Sequence, residues 1–149
     1  MMYPEILNLT LTGKNMTIKI MTIDNTGQAS VTLREFLINN NKFELVYQTQ
    51  SGLDALSKCD DMKPDIIIID SGIRDISQFE FVKKVWEKFS LSFCECILLT
   101  MSSTPEWFQS FFEVQARHVL GKPLDRVELE DAINRAYLEL QQYRDENLP

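Results

Sequence analysis

The segment Asp65-Ile66-Ile67-Ile68-Ile69-Asp70 constrains the fold more than any other part of this sequence. Its isoleucines show no polar alternation, so a strand built from them must bury side chains on both of its faces. This pattern is typical of an interior strand in a parallel sheet that helices cover on both sides. Asp70 lies at the carboxyl end of that strand, and open α/β sheets bind their ligands at this edge. The segment therefore predicts an α/β fold with Asp70 at the functional edge.

Strand-like and helix-like segments alternate along most of the chain. Short β-branched and apolar runs predict strands at residues 17–23, 43–49, 65–70, 94–100 and 119–120. Helical spacing of apolar residues predicts helices at residues 26–38, 52–59, 79–89, from 104 onwards, and 124–142. Five strands alternating with five helices predict a doubly wound five-stranded parallel sheet with helices on both faces.

The predicted domain spans residues 17–142. Residues 1–16 carry mixed signals and are interpreted as an N-terminal extension, and residues 143–149 as a polar tail that frays. The last helix is predicted to bury one side, which carries Val127, Leu129, Ile133, Ala136, Tyr137 and Leu140.

Length, charge and cysteine usage exclude several classes of function. The chain has 149 residues, a size that suits one domain, and a net charge of -7, which argues against binding a nucleic acid backbone. No apolar run is long enough to span a membrane and no signal peptide pattern begins the chain, so we expect a cytoplasmic protein with protein partners. Three cysteines without Cys-x-x-Cys spacing and a single histidine argue against a zinc site or a disulfide framework, and favour buried free thiols.

Polar residues follow the predicted strands where each one ends. Asp24 and Asn25 follow the first strand, Asp70 ends the third, Thr100 ends the fourth and Lys122 follows the fifth. Because parallel strands bring these ends to one edge, we expect the side chains to lie together. Carboxylate and amide oxygens suit Mg²⁺, and a carboxylate can accept a phosphoryl group when cations neutralise the transferred oxygens. Thr100 and Lys122 would then contact phosphoryl oxygens.

The chain resembles the receiver domains of two-component response regulators over residues 17–142. The resemblance is carried by these elements in order: Ile23-Asp24-Asn25, Lys63-Pro64-Asp65 through Asp70, Phe79-Glu80, Thr100 and Lys122-Pro123. It implies a flavodoxin-like fold and transfer of a phosphoryl group from a histidine kinase or phosphotransfer protein to Asp70. It also implies Mg²⁺ held by Asp24, Asn25, Asp70 and the Gly72 carbonyl, and a cis Lys122-Pro123 peptide. The domain would relay its signal to a downstream protein and would not itself be an enzyme beyond turnover of its own phosphoryl group.

Several residues depart from the family pattern. Asn25 replaces an acid and should weaken Mg²⁺ binding, although a register with Ile23 and Asp24 as the pair is also open. Met101 replaces a small residue and is expected to crowd the phosphoryl pocket. Val119 replaces the aromatic residue that reports on Thr100. Arg74 and Gln78 replace the proline and glycine usual after the acceptor strand.

Two other functions stay open on the sequence. The departures allow a pseudo-receiver that binds proteins independently of phosphorylation. The stretch Thr26-Gly27-Gln28-Ala29-Ser30 faintly resembles a flavodoxin phosphate loop, which would make the chain a flavin-binding electron carrier. In either receiver reading, the fourth helix, fifth strand and last helix are the expected docking or homodimer face. The fourth helix carries an aromatic stripe, and we expect one or two of its rings to be exposed: Trp107, Phe108, Phe111 and Phe112.

Overall fold

The computed structural model describes residues 17–25, 27–89, 94–101 and 104–147. Within these ranges five strands form one parallel sheet: β1 (Ile18–Ile23), β2 (Phe43–Thr49), β3 (Ile66–Asp70), β4 (Glu95–Thr100) and β5 (His118–Gly121). Helices follow the strands in turn: α1 (Gly27–Ile38), α2 (Gly52–Met62), α3 (Gln78–Lys88), α4 (Pro105–Glu113) and α5 (Arg126–Asn147). The strand order β2-β1-β3-β4-β5 confirms the predicted doubly wound, flavodoxin-like fold.

Strand β3 occupies the centre of the sheet, as its sequence predicts. It pairs with β1 from Ile66 to Ile69 and with β4 along its whole length, so that Asp70 is in register with Leu99. Every residue of β3 is fully buried. The register brings the carboxyl ends of β1, β3 and β4 to the same edge of the sheet.

Two hydrophobic cores cover the two faces of the sheet. Ile66 and Ile68 face the core that α1 and α5 complete, whereas Ile67 and Ile69 face the core completed by α2, α3 and α4. All three cysteines are buried free thiols in this second core, as predicted. The uninterrupted isoleucine run therefore supplies both cores at once, which an alternating strand could not do.

Three helices begin at a hydroxyl side chain that caps a free backbone amide. Ser51, Ser77 and Thr104 accept hydrogen bonds from the amides of Asp54, Glu80 and Trp107 respectively. The predicted start at Thr104-Pro105 is thus confirmed, since the missing N–H of proline costs nothing in the first turn. Thr26, the cap predicted for α1, lies outside the described residues, as does the extension at residues 1–16.

Helix α5 differs from its prediction in where it ends and in the burial of one residue near its start. It continues to Asn147 beyond the predicted end at 142, because Tyr143 and Arg144 find partners on the sheet side. The Arg117 guanidinium lies 4.6 Å from the centre of the Tyr143 ring, and Arg144 forms an ion pair with Asp65 at 2.9 Å. The predicted burial of Val127 is wrong: its side chain is 76% exposed. Val127 precedes Leu129 by two residues, which places it about 200° away around the helix from the buried stripe.

None of the helices in the described ranges combines the length and the apolar character that a membrane span requires.

Candidate functional site

Asp70 is a buried carboxylate that makes an ion pair and a hydrogen bond at the edge of the sheet. It is 0% exposed, and its Oδ1 forms an ion pair with the Lys122 ammonium group. Its Oδ2 accepts a hydrogen bond from the Gly72 amide at 3.0 Å. A buried carboxylate needs such compensation, because loss of hydration costs several kcal/mol and opposite charge with hydrogen bonds offsets that loss. The strand end therefore holds the Asp70 carboxylate against the Lys122 ammonium group and the Gly72 amide.

Lys122 reaches Asp70 from the loop after β5. Its backbone amide donates to the Thr100 carbonyl at 3.0 Å, and Thr100 is in register with Gly121. The Lys122-Pro123 peptide is cis, as the resemblance implied. Thr100 itself is 6% exposed at the end of β4. The structure thus places the predicted hydroxyl at the end of β4 and the predicted lysine just after the neighbouring strand β5, with its ammonium group paired with the predicted acceptor.

The predicted metal ligands lie in the same corner. Asp24 follows β1 and is 4% exposed, and its amide donates to Thr49 at 3.0 Å. The side-chain amide of Asn25 donates from Nδ2 to the Gly72 carbonyl at 3.4 Å. Hydrogen bonds and the ion pair thus connect Asn25, Gly72, Asp70 and Lys122 in sequence, and Asp24 adjoins Asn25.

This donor set fits Mg²⁺. Two buried carboxylates, an amide and a backbone carbonyl provide hard oxygen ligands from β1, β3 and the loop after β3. The Asn25 amide directs its nitrogen at the Gly72 carbonyl, and rotation of the terminal amide would present its oxygen instead. The same hydrogen bond satisfies the Gly72 carbonyl within the protein, so a cation would have to compete with it.

The side chain of Met101 is placed differently from its prediction. It is 83% exposed and does not fill the space beside Asp70. Its expected crowding of the pocket is therefore wrong for this structure. The residue follows the end of β4, where its side chain faces solvent.

Two residues near the site have roles that the sequence did not indicate. Gln78, seen in the sequence only as a departure from glycine, is 4% exposed and donates from Nε2 to the carbonyls of Ile69 and Leu99 at 2.9 and 3.0 Å. It therefore connects the ends of β3 and β4 directly beside Asp70. The second residue, Asp75, accepts hydrogen bonds from the Ser51 hydroxyl and from the backbone amides of Gly52 and Leu53 at the start of α2. A polar residue at the first turn of α3 was the available signal for Gln78, but its partners are backbone groups that a sequence does not reveal.

Comparison with known proteins identifies the family. A model of the response regulator receiver domain matches residues 20–134. The response regulator protein VraR of Staphylococcus aureus strain N315 is 27% identical over 70 residues, which span 47% of this chain and 34% of that protein. VraR of Staphylococcus epidermidis strain ATCC 12228 is 22% identical over 122 residues, 82% of this chain and 57% of that protein. The chain thus matches only part of the length of these relatives.

Solved receiver domains have the same fold. The receiver domain of a modulated diguanylate cyclase from Desulfovibrio desulfuricans G20 superposes with a TM-score of 0.76 at 20% identity, covering 86% of this chain and 99% of that one. The chemotaxis protein CheY4 of Vibrio cholerae gives 0.71 at 25% identity, covering 81% and 99%. The family match extends over most of the chain and agrees with the strand order described above. This chain therefore belongs to the response regulator receiver domain family.

Proposed function

We propose that Asp70 accepts a phosphoryl group from the phosphohistidine of a histidine kinase or phosphotransfer protein, and that the domain works as a phosphorylation-controlled switch. One observation carries the proposal: a fully buried carboxylate at the end of the central strand is paired with Lys122. A carboxylate with only a structural role at a strand end would cost less free energy if it were exposed to solvent than if it were buried with a lysine.

The reaction transfers one phosphoryl group between two side chains. A carboxylate oxygen of Asp70 attacks phosphorus in line, the bond from phosphorus to the donor's imidazole nitrogen breaks, and that nitrogen keeps the electron pair. Lys122, which pairs with Asp70, would neutralise charge on the transferred oxygens, and the Thr100 hydroxyl would donate to one of them. The product is an acyl phosphate on Asp70.

Asp24, Asn25, Asp70 and the Gly72 carbonyl would hold Mg²⁺ at this edge. When bound, the cation supplies charge neutralisation to the phosphoryl oxygens. Asn25 contributes no negative charge, and its side-chain amide already donates a hydrogen bond to the Gly72 carbonyl. We therefore expect weaker Mg²⁺ binding than a site with a third carboxylate would show.

The output of the switch is a protein contact on the face formed by α4, β5 and α5. Phe112 of α4 and Val127 of α5 are 69% and 76% exposed on these elements. Val119 lies on β5 where the family has an aromatic reporter, so the signal would pass through Thr100 and Lys122 without a rotating ring. A downstream protein or a second copy of the chain is the expected partner, and the net charge of -7 argues against nucleic acid.

The experiment is incubation with a small acyl phosphate or phosphoramidate and Mg²⁺, followed by intact mass measurement. Wild type should gain one phosphoryl group, and Asp70→Asn should gain none while keeping its circular dichroism spectrum. Omission of Mg²⁺ with excess chelator should abolish the adduct. Equal labelling of Asp70→Asn and wild type would show that Asp70 is not the acceptor.

A pseudo-receiver is the second candidate, and the hydrogen bond between Asn25 and Gly72 favours it, because the protein satisfies the carbonyl without a cation. Asn25→Asp distinguishes the two. In a working receiver, this change should raise Mg²⁺ affinity and the rate of phosphorylation. A protein that stays unlabelled in both forms is a pseudo-receiver. Flavin absorbance in the purified protein would instead support the electron carrier, which the family match disfavours.

A further inference from the structure

A second cluster of polar side chains lies at the edge of the sheet opposite Asp70. Glu95 begins β4, His118 begins β5 and Glu139 belongs to α5. Each offers one ligand atom, and these three atoms lie within 4.8 Å of one another. Glu95 precedes Leu99, the register partner of Asp70, by four residues, so about 13 Å of strand separates this cluster from the acceptor.

The cluster has an acceptor oxygen that no protein group satisfies. Glu95 is 0% exposed, and its Oε2 is paired with the Arg117 guanidinium. Among the residues that the structure describes, no donor reaches its Oε1. A buried carboxylate oxygen without a donor costs more than a lost hydrogen bond, so this site favours a ligand that supplies positive charge.

The charged groups around the cluster are compatible with a bound cation. The carboxyl groups of Glu95 and Glu139 lie near one guanidinium, that of Arg117, and burial raises the pKa of Glu95 to about 7. Arg135 on α5 is close to His118 but is paired with Asp131 at 2.5 Å. Burial lowers the pKa of His118. The cluster thus places two carboxyl groups and one imidazole beside a single guanidinium, that of Arg117.

We propose that Glu95, His118 and Glu139 bind one divalent transition-metal ion of the Zn²⁺ class. One imidazole and two carboxylates are a ligand set that Zn²⁺ accepts, with a fourth position left for water. A tetrahedral ion holds ligand atoms about 3.4 Å apart. The side chain of Glu139 is 35% exposed and can close the remaining distance by a change of rotamer.

The surroundings of the cluster resemble the outer shell of a metal site. Arg117 fixes Oε2 of Glu95 and is itself held by the Tyr143 hydroxyl at 2.5 Å, which leaves Oε1 as the free ligand atom. His118 Nε2 lies 2.9 Å from Glu139 Oε2, so the metal would replace the proton between them. A cavity of about 390 Å³ between β5 and α5 is lined by His118 and Asp131 and provides access from solvent.

The test is Zn²⁺ titration of the full chain after chelator treatment, followed by calorimetry and native mass spectrometry. Wild type and Asp70→Asn should bind an ion at this cluster with the same association constant, which separates this site from the acceptor. Glu139→Gln and His118→Gln should each lower the association constant by about tenfold or more. Glu128→Gln changes a residue that lines the same cavity without belonging to the cluster, and this variant should bind as wild type does.

Further controls distinguish zinc bound at this cluster from zinc bound at the cysteines or at Asp70. Glu139→Gln changes a partly exposed side chain, so it should stay folded even if His118→Gln does not. Co²⁺ in place of Zn²⁺ should give a spectrum without thiolate charge-transfer bands, because the buried cysteines take no part. Failure of wild type to bind Zn²⁺ at large excess would overturn the proposal. Loss of binding in Asp70→Asn, with retention in Glu139→Gln, would overturn it equally.

Discussion

The hydroxyl of Ser51 donates to the carboxylate of Asp75 at 2.6 Å, which connects the loop after β3 to the start of α2. The backbone amides of Gly52 and Leu53 donate to the same carboxylate, each at 3.1 Å. Asp75 thus caps a helix from which it is distant in sequence. The loop that it holds carries Gly72, so the cap also fixes the surroundings of Asp70.

Asp75→Asn should therefore destabilise the domain in a pH-dependent way. The Ser51 hydroxyl, followed by the amides of Leu53 and Gly52, lowers the pKa of Asp75 in the folded state. A lowered pKa means that the contribution is present above the unfolded pKa of about 4 and is lost as the pH falls through the folded value. At pH 7 we expect a loss of about 1 kcal/mol, measured by urea unfolding.

The same measurement at acid pH completes this test. The difference between wild type and Asp75→Asn should shrink once Asp75 is protonated in both states. Ser51→Ala removes the strongest hydrogen bond and should weaken the pH dependence in part. A difference that is constant from pH 7 to acid would contradict the charged cap.

Gly52→Ala tests the close approach of α2 to the same loop. A Cβ at position 52 would lie 2.3 Å from Cγ2 of Ile76 and 3.2 Å from Cδ1 of Ile73. Overpacking of this kind costs about 1–3 kcal/mol, which exceeds the gain of about 0.5–1 kcal/mol from replacing glycine in a helix. Thermal unfolding should therefore show a lower midpoint. Gly121→Ala, where no atom lies within 4 Å of the added Cβ, is the control and should be near neutral.

Lys122→Met tests the charge balance at Asp70. The substitution leaves the fully buried carboxylate of Asp70 without its cation and should cost about 3 kcal/mol in chelator-treated protein. Adding Asp70→Asn removes the unpaired charge, so the double variant should regain most of that loss. Lys42→Met breaks a surface pair with Glu130 and should change stability by less than about 1 kcal/mol. If the double variant is as unstable as Lys122→Met alone, the ion pair is not the cause.

Gln78→Met tests the two hydrogen bonds by which the Gln78 side chain connects β3 and β4. Methionine nearly matches the volume of glutamine but donates no hydrogen bond to Ile69 and Leu99. Leu99 keeps the amide of Ser71 at 3.1 Å, and the Gln78 Oε1 has no donor among the described residues, so part of the cost is offset. We expect a net loss of about 1 kcal/mol, measured by urea unfolding. Gln109→Met on the exposed side of α4 is the control. An equal loss of unfolding free energy in this variant would show that the Gln78 hydrogen bonds to Ile69 and Leu99 do not stabilise the domain.

The central strand and the edge at Asp70 could be predicted from the sequence because few structures accommodate them. Four isoleucines in a row require burial on both faces, and a parallel sheet then brings Thr100 and Lys122 to the same edge as Asp70. Helical periodicity also predicted most of the buried stripe of α5. Val127 was misplaced because it was counted with apolar residues rather than by its angle around the helix.

Contacts between distant segments could not be predicted in this way. Glu95, His118 and Glu139 have no common spacing, and only the order of the strands brings them together. The signal available was a charged residue between Cys94 and Cys96 in a strand that reads as buried, since such a residue needs a partner. The length of α5 was underestimated for the same reason: Tyr143 and Arg144 are polar in sequence but are held by Arg117 and Asp65.

The position of β3 has a consequence for how the protein moves. Its amides lie between β1 and β4 beneath two cores, so they should exchange with deuterated solvent only when the whole domain unfolds. The amides of the exposed loop after Asp70 should exchange far sooner. Asp70 therefore lies between the parts of the chain that we expect to exchange slowest and faster, where new charge would alter the loop while the sheet stays still.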